Sequence, residues 1–168
     1  YSTIQAAYDA ANENDTILVQ PGTYYENLYI ETKNVVLGSL FLTTGDTAYI
    51  SSTIIDGNNS SHAINIQGYQ SCGSNDCDKI DTSFVLAGFT VQNGNTDEYG
   101  GGINVESKAF PTLRNLKIIN NTAFKGGGGI DIRSASARIM DVLIAGNTVT
   151  RVPNGDGGGI ELNYVSVN

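Results

Sequence analysis

The chain has 168 residues, 40% hydrophobic and 15% charged, with nine Lys plus Arg against 17 Asp plus Glu and a formal net charge of -8. That length suits one domain, residues 1–168. Nothing approaches the run of about 18 apolar residues that spans a bilayer, and the basic patch of a nucleic-acid binder is missing.

The chain begins at Tyr1 and its single Met is Met140; without a leader-like opening, a mature or excised segment is expected. Residues 2–12, Ser-Thr-Ile-Gln-Ala-Ala-Tyr-Asp-Ala-Ala-Asn, predict the chain's one helix. Ser2 is placed to cap it and Gln5 to close a capping box, while Ile4, Ala7, Tyr8 and Ala11 share a face. Short strands are expected at 16–19, 24–30, 34–37 and 53–56. A helix before the first strands would cover the open end of a stack.

From Thr53 onward the pattern repeats. Gly100-Gly101-Gly102-Ile103-Asn104-Val105 returns as Gly127-Gly128-Gly129-Ile130-Asp131-Ile132 and as Gly157-Gly158-Gly159-Ile160-Glu161-Leu162. Ile103 and Ile130 are 27 residues apart, Ile130 and Ile160 30 apart. Such a period marks a stack of similar units. Ala63-Ile64-Asn65-Ile66-Gln67 matches without the glycines. Residues 68–82 are surplus to the repeat and read as an inserted surface loop. This loop carries Cys72 and Cys77. A disulfide is expected there, worth about 2 kcal/mol by loop entropy, and it implies an oxidising, extracellular setting.

The segments 86–91, 113–118 and 139–144 precede Asn/Gly-rich turns and alternate apolar with polar residues, so one face points into a core. A leucine-rich repeat would need a helix or arc where the glycine runs stand. Three short strands per unit fit better, giving an all-β right-handed parallel β-helix. The glycine runs read as tight bends, and the Asn-rich turns as stacked inward amides. Asn168 falls partway through a unit, so a truncated C-terminus is expected.

Residues 2–7 followed by Asp15-Thr16-Ile17-Leu18-Val19-Gln20-Pro21-Gly22-Thr23-Tyr24 resemble the cap and first turn of the pectate-lyase-like superfamily. The Asn-Thr and Gly-Gly-Gly-Ile repeats resemble those of secreted and surface bacterial β-helix proteins. The resemblance implies the fold and leaves activity open, because the superfamily holds lyases, hydrolases, esterases and adhesins. The esterase segments and the hydrolases' Asp-Asp pairs are missing. Arg133, Arg114 and Lys117 are possible counterparts of the lyases' basic residue.

With the Ile residues inward, the residues between them form an outward, solvent-facing ladder: Asn65, Asn104, Asp131, Glu161. Beside it run Gln67, Glu106, Arg133 and Asn163. These residues are the candidate ligand-binding face, with Asp131 and Glu161 as candidate calcium ligands. The expected function is an extracellular β-helix scaffold or surface protein without a catalytic motif; the ladder reads either as a plain solvated face or as a groove for a polysaccharide or cell-surface glycan. The alternatives are a fragment of a calcium-assisted uronate lyase and an element that self-associates end to end.

Overall fold

The structure, a computed structural model, describes residues 1–68, 80–151 and 156–164. The expected Cys72–Cys77 bridge, most of the inserted loop and Asn168 lie outside them.

The chain opens with α1 (Ile4–Ala10), whose Ile4 and Tyr8 are buried. The capping residue is Thr3, not Ser2: its hydroxyl accepts from Ala6 N at 3.1 Å. Gln5 closes no capping box, because its amide is engaged with the backbone of Tyr29. The Glu26 carboxylate takes that place, accepting from Ile4 N at 2.8 Å and Gln5 N at 3.0 Å. At the other end Lys33 Nζ donates to the carbonyls of Tyr8, Asp9 and Ala11. A carboxylate at the N-terminus and an ammonium at the C-terminus both complement the helix dipole.

Then come β1 (Thr16–Val19), β2 (Gly22–Tyr25), β3 (Leu28–Ile30) and β4 (Val36–Ser39). Two short helices not expected from sequence follow, α2 (Phe41–Thr44) and α3 (Ala48–Ser52). Two glycines let them lie against the sheet. A Cβ on Gly38 would stand 2.2 Å from Leu42 Cδ1, and one on Gly88 2.9 Å from Phe41 Cβ. Thr90 Oγ1 also donates to Ile50 O at 2.8 Å.

The repeating part comprises β5 (Thr53–Asp56), β6 (Ile64–Gln67), β7 (Val85–Ala87), β8 (Thr90–Gln92), β9 (Asn95–Thr96) and β10 (Ile103–Glu106). It continues through β11 (Thr112–Ile119), β12 (Thr122–Ala123), β13 (Ile130–Arg133), β14 (Arg138–Ala145), β15 (Thr148–Val149) and β16 (Ile160–Asn163). Among the described residues strand pairing is parallel throughout, in three sheets. One sheet runs β3-β6-β10-β13-β16, with Ile64, Ile103, Ile130 and Ile160 in register as the repeat predicts. The fold is thus all-β and consistent with a β-helix-like winding.

In the largest sheet β7 and β8 are separated by Gly88, whose φ is +81°, while β11 and β14 run through the same bend at Asn115 and Asp141 (φ +52° and +53°). Gly, Asn and Asp are the residues that visit this left-handed region most readily. The core packs Ile64, Ile66, Ile103, Val105, Ile130 and Ile132 against Leu86, Phe89, Leu113, Leu116 and Ile118. At the next corner Asn121 and Asn147 stack inward as expected: Asn121 Nδ2 donates to Asn147 Oδ1 at 3.0 Å, and Asn121 Oδ1 accepts from Gly94 N at 2.8 Å. On the last strand, Ile160 and Leu162 are exposed although they sit on the inward positions, because no further described repeat packs on them.

Candidate functional site

The sheet β3-β6-β10-β13-β16 sets the candidate residues in two rows. One is Tyr29, Asn65, Asn104, Asp131, Glu161; the other includes Gln67, Glu106, Arg133, Asn163. The predicted register is observed, and the row gains Tyr29 at its head.

The solvent exposure expected of the ladder is not observed. Asn104 is 6% exposed, Asp131 0% and Glu161 9%. The inward residues Ile103, Val105 and Ile130 are buried as well, so the strands are not slipped by one residue. The glycine turns roof the ladder instead. An ideal Cβ on Gly100 would stand 2.9 Å from Asn104 Cα, and one on Gly127 2.8 Å from Asp131 Cβ. Gly126 lies so close to Glu161 that a Cβ would fall 1.6 Å from Oε2. The Tyr99 ring, just before the first glycine turn, lies 3.2 Å from the Arg133 guanidinium carbon. The first two glycine runs leave room for the backbone to fold back over the residue four positions on, and Glu161 is covered by Gly126 of the preceding repeat.

Arg133 Nη2 donates to Asp131 Oδ2 at 3.2 Å. Asp131 Oδ1, Glu161 Oε2 and Arg133 Nε are buried without a hydrogen-bond partner. Burial pushes the Asp131 carboxyl up to about 6, against the pull of Arg133 and with help from Glu161 and Glu106. Glu161 is raised too, by burial first and then by Asp156. Asp131 therefore holds a proton under mildly acidic conditions, out of contact with solvent.

On the neighbouring row Gln67, Glu106, Arg133 and Asn163 stay half-exposed, and side-chain bonds link this row to the first and residues along each. Tyr29 Oη donates to Gln67 Oε1 at 2.6 Å, and Gln67 Nε2 donates to the Glu106 carboxylate. Asn104 Nδ2 donates to Asn65 Oδ1 at 3.1 Å. A cleft of about 120 Å³ opens here, lined by His62, Glu98, Tyr99, Asn104, Glu106 and Arg133. His62 Nδ1 donates to the Gly100 carbonyl at 2.9 Å, and Lys125 Nζ pairs with Glu98 at 2.6 Å. Sequence reasoning missed Tyr99, Glu98 and His62 as site residues. Tyr99 was signalled by its place before a glycine run, the place Gly126 takes one repeat later.

Asp131 and Glu161 do not make a calcium site by themselves. They offer one free oxygen each where calcium takes six to eight oxygen ligands, and Arg133 occupies another. Among the described residues no group of three or more His, Cys, Asp or Glu is arranged to hold a metal. Arg114 and Lys117 lie on β11, away from this sheet; Lys117 Nζ bonds Ser51 Oγ. No helix among the described residues is long and apolar enough to cross a membrane. No family model, no curated protein and no solved structure matches the chain.

Proposed function

We propose that the chain is an extracellular scaffold, wound as a right-handed parallel β-helix of the pectate-lyase-like kind, that binds a glycan along the sheet β3-β6-β10-β13-β16. One observation carries this reading. Polar side chains from successive parallel strands form a continuous track across the repeats, through Tyr29, Gln67 and Glu106 to Arg133. Strands about 4.8 Å apart make that track an elongated one, suited to a linear polymer. Tyr29 and Tyr99 give it amphipathic rings, and the amides and carboxylates give it donors and acceptors for hydroxyl groups. The extracellular assignment rests on the bridge expected between the close pair Cys72 and Cys77.

The test is a glycan array, followed by calorimetry with the best ligand on the wild type and on Tyr29→Ala/Arg133→Ala. The double variant should bind at least about tenfold more weakly while its circular dichroism keeps the β signature. Failure of every glycan to bind overturns the reading. Appearance of an unsaturated product in the ultraviolet with pectate and calcium would replace it with the lyase alternative.

A further inference from the structure

We infer that the glycan bound on this sheet carries free amino groups, and that Glu106 receives one such ammonium in the cleft beside Tyr99. The inference rests on the glycan reading above and adds the ligand's charge to it.

The cleft's other charges are already matched. Glu98 is paired with Lys125 at 2.6 Å, and Arg133 with Asp131 at 3.2 Å. Glu106 is the unmatched charge. Among the described residues its carboxylate has one hydrogen-bond partner, the neutral Gln67 amide. In the adjoining row the buried atoms in want of a partner include two carboxylate oxygens, Asp131 Oδ1 and Glu161 Oε2. They add negative potential. Farther along the track, desolvation raises the Tyr29 hydroxyl's pKa, and the charges of Glu31 and Glu106 raise it further.

The two cationic side chains at the cleft are already engaged, Lys125 on Glu98 and Arg133 on Asp131. One face of the Arg133 guanidinium lies against the Tyr99 ring at 3.2 Å, one nitrogen is on Asp131, and Nε is buried. A carboxylate entering the cleft would meet Glu98 and Glu106 and compete with Asp131 for the guanidinium. An ammonium meets the Glu106 carboxylate, which is in no ion pair among the described residues and can accept a charge-assisted hydrogen bond. A cleft of about 120 Å³ suits one functional group, with the sugar rings left on the open sheet. The chain's net charge of -8 draws a polycation and repels a polyanion at long range.

Calorimetry on the full chain with three probes of equal length decides the matter: a β-1,4-linked glucosamine oligomer, its N-acetylated counterpart, and an oligogalacturonate. The free amine should bind at least about tenfold more tightly than the acetylated oligomer, one charge-assisted contact being worth that much. Its affinity should fall as salt rises, and the oligogalacturonate should not bind. Glu106→Gln, of the same shape, should bring the first two probes to equal affinity, with thermal melting used to check the fold. Should that variant not fold, the wild type's preference for amine over acetyl decides alone. Equal binding of amine and acetyl, or a preference that survives in Glu106→Gln, overturns the inference and leaves the glycan reading standing. Failure of all three probes and of the array removes both.

Discussion

The Gln5 side chain meets both backbone groups of Tyr29: its Oε1 accepts from Tyr29 N at 2.8 Å, and its Nε2 donates to Tyr29 O at 3.1 Å. Among the described strands β3 pairs with β6 on one edge only, and its other edge has no strand beside it. The glutamine amide imitates the strand that is not there. Replacing Gln5 by Ala frees two backbone groups and should cost about 1–3 kcal/mol. Urea unfolding measures this, and hydrogen exchange should speed up at Tyr29 N. Gln5→Glu keeps the acceptor and loses the donor, so it should fall between the two.

Asp131 gives the protein a pH dependence of defined sign. Its carboxyl is raised from 3.8 to about 6 in the folded chain. The folded state therefore holds this proton more tightly than the unfolded state. The stability it contributes is complete below the unfolded value and is lost as pH rises through about 6. The loss is of order 2–3 kcal/mol. Asp131→Asn still accepts from Arg133 and carries no buried charge. It should melt higher than wild type well above pH 6 and show a flatter pH profile between the two values. A wild-type stability that rises over that interval would contradict the burial of this carboxylate.

Gly101 tests the packing of the glycine turns. A Cβ there would stand 2.3 Å from Thr122 O and 2.7 Å from Gly128 O, both backbone atoms of neighbouring turns. Neither can swing away as a side chain would. Gly101→Ala should destabilise by about 2–4 kcal/mol, read as a drop in the urea midpoint. Gly45→Ala is the contrast. Its Cβ meets nothing within 4 Å, so only the cost of its left-handed backbone, about 1 kcal/mol, should appear.

Asn120 and Asn121 are adjacent but should answer differently. Asn121 is fully buried; it accepts from Gly94 N and donates to Val91 O and Ile119 O. Asn121→Ala strands all three groups and should cost about 3 kcal/mol or more. Asn120 has φ +55°, and in the next repeat Gly146 adopts the same left-handed conformation. Asn120→Gly should therefore be close to neutral. Denaturant titration of the two variants side by side gives the comparison.

The architecture was legible because a repeat of fixed period needs no long-range inference. Once Ile103 and Ile130 are aligned, every partner between them is fixed, and the observed register agrees. The inward amides at Asn121 and Asn147 were legible for the same reason. What escaped was whatever lies outside the period. α2 and α3 fall in a stretch without repeat partners, and their seats, Gly38 and Gly88, are visible only once Leu42 and Phe41 stand over them. The burial of Asp131 escaped because alternation separates two faces of a strand without saying whether the second is open to water. That depended on turns which fold back over their own strand. Tyr29 joined the ladder only when β3 was found beside β6.

The parallel pairing also has a mechanical side. Each stretch of chain is fastened to the one before it and the one after it, some 27 residues away, as Ile103 is to Ile130. A force applied at β16 falls first on its bonds to β13, which must yield before those between β13 and β10 are loaded. Each rung set free adds about 90 Å of slack at roughly 3.4 Å per residue. Extension of the repeating part would then proceed as a sawtooth of near-equal steps, one rung of the stack at a time.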